Sequence, residues 1–235
     1  MLYKLTPNIT VIGKVIIRPE RSFSFLAYLV TGGKNILIDT LPIPAGEIFL
    51  EELKSCVALD KLDAVIINHS ESDHSGSLSL LSEQCPNLPV YCSDAGKEIL
   101  QAAYPTISSL QVVTNGSSLQ IGDLTFSFTY TPGLHWADNM VTYLEGERIL
   151  FSNDLFGQSL GMEIPLDSQV SEAALLSGAK NYFEKVFSTA PPESLAILPH
   201  IIAKQPRLVA PGHGVILQEH LAKIFDYYQM MCVAK

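Results

Sequence analysis

Between His69 and His74 the chain places two histidines and two acids within six positions, directly after the apolar run AVIIN. A buried strand that opens into such a polar loop calls for an α/β fold, because strand C-termini are where these folds collect ligands. The full loop reads HSESDHSGS and leads into the helix-like segment LSLLSEQC. Acids at the electropositive start of a helix are explained by the helix dipole alone. The two flanking histidines are not. His69, Glu71, Asp73 and His74 offer four independent N/O donors that one strand-to-helix loop can turn toward a single point, as a metal requires.

Three more candidates occupy the same kind of place. His135 follows a strand and turn in FTYTPGLHWADNM, Asp154 ends a strand in RILFSNDLFG, and His213 lies between glycines in VAPGHG. Each has an ordinary explanation when taken singly: packing beside Trp136, an Asx-turn after Ser152-Asn153, and a plain loop residue. The coincidence is harder to explain, since four of the six histidines stand at strand ends. His200 and His220 fall inside helical patterns and read as surface or core histidines.

The surrounding pattern alternates between β and α. SFLAYLV and NILIDT read as strands joined by a turn at Gly32-Gly33. Pro44 to Leu59 reads as a helix with Ile48, Leu50, Leu53 and Val57 on its apolar face. DAVIINHS, PVYCS, LQVVTNG, SLQIG, LTFSFTYTPG, MVTYLEG, RILFSND and RLVAPGHG read as strands. DAGKEILQAAY reads as a helix capped by Ser93 or Asp94, residues 170–187 and 193–204 as helices, and EHLAKIFDYYQMM as a closing helix. No linker or repeat divides the pattern, so we expect a single domain over residues 1–235. Two βα halves packed face to face, helices outside and sheets inside, would satisfy it.

Composition narrows the function. Hydrophobic residues make up 47% and charged residues 17%, as in a globular chain, and the net charge of -9 with no basic run excludes nucleic acid as a partner. The N-terminus MLYKLTPNITVIGKV alternates apolar and polar residues and lacks a signal core. No stretch reaches the roughly 20 apolar residues of a membrane helix. Cys56, Cys85, Cys92 and Cys232 are scattered, which suits buried or inert thiols in a reducing, cytoplasmic compartment.

The succession HxExDH, GLHW, SNDLFG and PGHG resembles the di-iron domain of flavodiiron proteins, the O2 and NO reductases of anaerobes and cyanobacteria. LAYLV, ILIDT and TPGLHWADNMVTYL extend the resemblance over nearly the whole chain. It implies a metallo-β-lactamase αββα sandwich with two iron ions (Fe2+/Fe3+) at the edge between the sheets. By resemblance His69, Glu71 and His135 would hold one iron and Asp73, His74 and His213 the other. Asp154 would bridge them beside a bridging oxo, hydroxo or dioxygen-derived ligand. Hydrolases of this fold show HxHxDH and bind zinc; here Glu71 stands at the second position, and a carboxylate is a harder donor that favours iron. A zinc-dependent hydrolase is the alternative reading.

Flavodiiron proteins continue into a flavodoxin domain of about 150 residues that carries FMN. The sequence ends at Lys235, so we expect no FMN in this chain. The histidine that many relatives place near the site from their N-terminal region has no counterpart before His69. The expectations are therefore an O2 or NO reductase fed by a rubredoxin or flavodoxin-type donor, or an O2-binding sensor reporting to a signalling protein. A homodimer is implied by the resemblance.

Overall fold

A computed structural model describes residues 1–18 and 21–233. Seven strands form one sheet: β1 (Leu2–Thr6), β2 (Ile9–Arg18), β3 (Arg21–Thr31), β4 (Asn35–Ile38), β5 (Ala64–Ile66), β6 (Val90–Cys92) and β7 (Leu110–Val112), side by side in that order. β1 to β4 pair antiparallel and β4 to β7 parallel. The second sheet holds β8 (Ser118–Ile121), β9 (Leu124–Tyr130), β10 (Met140–Leu144), β11 (Ile149–Asn153) and β12 (Leu208–Pro211). It is antiparallel except where β12 lies parallel to β11.

Period-2 alternation decides which face meets what. Ile36, Ile38, Tyr28 and Val30 point inward and meet Phe126, Phe128, Phe151 and Met140 of the other sheet. Leu37 and Leu29 point outward, to α1 (Gly46–Cys56), α3 (Leu78–Gln84) and α4 (Asp94–Ala103), through Phe49, Leu53, Leu81 and Leu100. On the far side Val141, Tyr143, Leu150 and Val209 meet α5 (Glu172–Val186), α7 (Leu198–Ile202) and α8 (Leu221–Val233). Helix, sheet, sheet and helix thus stack in four layers, the expected αββα sandwich. Each buried Leu, Ile or Phe contributes about 1.5–3 kcal/mol, which rigidly seats the strand ends.

Several sequence expectations are corrected. The helix drawn from Pro44 to Leu59 is a 3-10 turn (Ile43–Ala45) followed by α1, and Leu59 opens another 3-10 turn. Its buried face is Phe49, Leu50 and Leu53, while Ile48, a residue out of phase, is exposed. The segment after Glu71 breaks into α2 (Ser72–Ser75) and α3, and residues 193–204 into α6 (Pro192–Leu195) and α7. His220 precedes α8 rather than lying in it, its amide held by Asp167 Oδ2 at 2.8 Å. The alternating N-terminus forms the β1–β2 hairpin. Cys92 is buried, its thiol pushed up to about 12 by burial, but Cys56 is exposed at the end of α1. The side chain of Cys232 lies outside the described residues. None of the helices is long and apolar enough to cross a membrane, among the described residues.

Candidate metal centre

Four connections at one edge of the sandwich carry the candidate residues. His69 follows β5, His135 sits between β9 and β10, Asp154 follows β11, and Gly212-His213 follows β12. The turns that aim them are unusual. His135 has φ 91° and Asn153 has φ 45°, both in the left-handed region that non-glycine residues rarely adopt. The Asn153 side-chain oxygen accepts the amides of Asp154 and Leu155, so the Asx-turn at this corner belongs to Asn153. The Asp154 carboxylate is left to point elsewhere. At Gly212 a Cβ would stand 2.4 Å from His74 Cε1, so only glycine lets β12 approach that ring.

Six of the seven sequence-predicted residues fall into two groups. His69, Glu71 and His135 form one, and Asp73, His74 and His213 the other, with the donor atoms of each group all within 4.8 Å of one another. Glu71 Oε2 lies 3.3 Å from His69 Nε2 and 2.8 Å from His135 Nε2. Asp73 Oδ2 lies 3.3 Å from His213 Nε2. The seventh, Asp154, stands between the groups: Oδ2 is 3.7 Å from His69 Nε2 and 3.4 Å from His74 Nε2, and Oδ1 is 3.3 Å from His213 Nε2. Glu71 is the N-cap residue of α2, but its side chain makes no cap hydrogen bond and instead meets His69 and His135. His200 and His220 belong to neither group.

The electrostatics call for cations. Three carboxylates converge on four imidazoles, most of them buried. Burial works against a charged His69, yet the Asp138 and Glu71 carboxylates and the field of Asp154 raise its pKa to about 10. His213 likewise rises to about 10, through Asp154 and Asp73 and against its burial. Asp154 is held well below the usual carboxylate range by His74 and His213, again against burial, and Glu71 is lowered by His135 and His69. Asp73 Oδ1, His74 Nε2 and Asp154 Oδ2 are buried with no hydrogen-bond partner among the described residues. A buried polar atom without a partner costs about 1–3 kcal/mol. These three all face the same space, which is what a set of metal donors looks like before the ion is added.

The outer contacts fit the same reading and were missed from sequence. Asp138 Oδ2 lies 3.2 Å from His69 Nδ1 and accepts the Ser70 amide at 2.7 Å; Ser24 O accepts from His213 Nδ1 at 2.9 Å. Both rings thereby present Nε2 inward, the arrangement that orients metal-binding histidines. The Tyr182 hydroxyl donates to Asp154 Oδ1. Asp138, three residues beyond His135, was at least a visible acid beside a motif; Tyr182 on α5 gave no signal. Trp136 packs edge-on against His69, ring centroids 5.0 Å apart, and is exposed beside the half-open side chains of Glu71 and His135. The centre therefore opens to solvent on the Glu71 side.

The family model described as "ODP family beta lactamase" matches residues 23–214. An anaerobic nitric oxide reductase flavorubredoxin of Enterobacter sp. (strain 638) is 34% identical over 215 residues, 88% of this chain but 44% of that protein. Among solved structures, a flavo di-iron protein variant of Thermotoga maritima superposes with a TM-score of 0.89 at 29% identity, over 99% of this chain and 61% of that one. Rubredoxin oxygen:oxidoreductase of Desulfovibrio gigas superposes with a TM-score of 0.89 at 25% identity, over 100% and 62%. The chain thus spans less than two thirds of each.

Proposed function

This chain belongs to the ODP family of β-lactamase-like proteins, and on that premise we propose that it is a non-haem di-iron protein that binds O2 or NO and reduces it when a separate donor delivers electrons. The observation that carries the reading is the pair of donor groups with Asp154 between them. His69, Glu71 and His135 would hold one iron, Asp73, His74 and His213 the other, and Asp154 would face both. When bound, an iron pair supplies the electrons and the open coordination positions that a diatomic gas needs.

The chain's own residues do the rest. Asp138 and Ser24 fix the inward-facing nitrogens of His69 and His213. Tyr182 holds one oxygen of Asp154 and limits its swing. Glu71, in place of a neutral imidazole, adds a negative charge and a hard oxygen, favouring iron over zinc. The relatives named above are a nitric oxide reductase, a flavo di-iron protein and an oxygen oxidoreductase, which disfavours the zinc hydrolase. The exposed edge at Glu71, His135 and Trp136 gives gas and a rubredoxin or flavodoxin-type donor their approach. Free thiols at Cys56, Cys85 and Cys92 suit a cytoplasmic setting.

The deciding experiment is anaerobic purification from iron-replete cells, metal analysis, and mixing of the reduced protein with O2 or NO. We expect about two irons per chain and rapid consumption of the gas with a change in the visible spectrum. Two zincs per chain, or no reaction of the iron form with either gas, overturns the reading.

A further inference from the structure

On the far side of His213 lies a cavity of about 470 Å³, bounded by strands β2 and β3, the loop after β11 and helix α5, and lined by Ile16, Ser22, Phe23, Phe25, Ser159, Asn181 and Lys185. We propose that it is a binding site for a small organic monoanion with a planar apolar body, an aromatic carboxylate being the simplest member of the class. The volume falls in the range of small-molecule sites, roughly 300–1,000 Å³, and aromatic and aliphatic side chains share the lining with polar ones.

The lining separates into two parts. Phe23 and Phe25, two residues apart on β3, share a face, and both stay partly exposed although aromatic rings are strong candidates for burial. Phe23 lies with its ring centroid 4.7 Å from that of His213, and Phe25 5.4 Å, so a firm wall backs the apolar part. Gly161 sits flush on β3, where a Cβ would come 2.6 Å from the Phe23 carbonyl; the loop and strand cannot drift apart without losing that contact. The polar part is Lys185, Asn181, Ser159 and Ser22. Ser22 already accepts the Gly161 amide at 3.0 Å, which leaves its hydroxyl proton for an acceptor. Among the described residues, Lys185 joins no ion pair and the Asn181 and Ser159 side chains make no hydrogen bond. The lining contains no acid. A cation and several hydrogen-bond donors in the lining of a cavity walled by two aromatic rings match a carboxylate carried on a planar apolar body. The inference stands on this cavity alone and does not require that the neighbouring centre hold iron.

The test is titration calorimetry of the full chain with 2-naphthoate and its uncharged counterpart 2-naphthamide. We expect one naphthoate per chain, with the amide at least tenfold weaker. Lys185→Gln, at an exposed helix position, should weaken naphthoate by about tenfold, and Asn181→Trp, which fills the slot, should abolish it. Asp154→Ala should leave binding intact, separating this cavity from a carboxylate that merely coordinates a metal. Absence of saturable binding at millimolar probe, equal binding of acid and amide, or binding that survives Lys185→Gln and Asn181→Trp but disappears in Asp154→Ala each overturns the proposal.

Discussion

Tyr182 donates its phenolic proton to Oδ1 of Asp154, across 28 residues of sequence and from helix to strand end, so the carboxylate between the two donor groups is fixed from the outer helical layer. Burial, followed by the charge of Asp154, raises the phenol pKa well above its ordinary value, so it stays protonated and remains a donor. Tyr182→Phe should cost about 1.5–3 kcal/mol of stability, the worth of a hydrogen bond to a charged group, and leave close to two metals per chain. Urea unfolding and metal analysis on the same samples check both parts. Loss of metal with unchanged stability would contradict them.

Asp154→Ala removes the one carboxylate that faces both groups and should cost at least one metal per chain, while His200→Ala, on the exposed face of α7, should cost none. Parallel metal analyses of the two variants decide it. Equal metal content in both would mean the donor assignment is wrong.

Asp138→Asn keeps the shape of the outer contact to His69 but withdraws its charge. The His69 ring becomes a weaker donor, and metal affinity should fall by about 10–100-fold, the usual effect of losing such a partner. Competition with a chelator of known affinity gives the number; an unchanged affinity would show that the backbone alone orients the ring.

The part of this centre legible in sequence was the part where chemistry is unusual for its position. Acids and histidines crowded after an apolar strand have no good packing explanation, whereas the reason for the glycine before His213, the close approach of Gly212 to His74, appears only in the folded chain. The strands were legible as apolar runs, but not their inward faces: Ile36, Leu37 and Ile38 are all apolar, and only the packed layers show that Leu37 meets the helices and its neighbours the other sheet. What stayed hidden depends on tertiary contact. Tyr182 looks like any helix-core aromatic until α5 is laid over β11. Ile48 lies roughly opposite the stripe of Phe49, Leu50 and Leu53 that α1 buries, and only the packing of α1 on the sheet shows which residues that stripe holds.

The pH dependence of stability should differ in sign between the metal-free and metal-loaded protein. In the metal-free chain His69 and His213 have pKa values raised to about 10 by the carboxylates around them. A raised pKa contributes stability that is fully present below the unfolded value near 6.5 and is lost as pH climbs through the folded one. Metal-free protein should therefore weaken steadily between about pH 6.5 and 10. Metal replaces those protons, and its affinity rises as protons leave, so the loaded form should hold or gain stability across the same interval. Urea midpoints at several pH values compare the two, and identical slopes would mean that the histidines do not exchange protons for metal.

The choice of metal should rest on Glu71. Its carboxylate is the one anionic donor in the group with His69 and His135, and its oxygen lies within 3.3 Å of both imidazoles. Glu71→His restores the HxHxDH order of zinc hydrolases and leaves that group wholly neutral. A harder, negatively charged oxygen stabilises the higher oxidation state of iron, whereas three imidazoles suit zinc equally well and give it no competitor. The surrounding geometry should survive, because the Glu71 side chain makes no helix-cap hydrogen bond and is already half open to solvent. Protein expressed with iron and zinc supplied together should pass from mostly iron in the parent to a mixed iron–zinc or largely zinc content in the variant. The group around Asp73, His74 and His213 keeps its carboxylate and should change less. Iron content that stays near two per chain in Glu71→His would show that the metal preference is set elsewhere, by Asp154 or by supply in the cell, and would remove the charge argument from the proposed function.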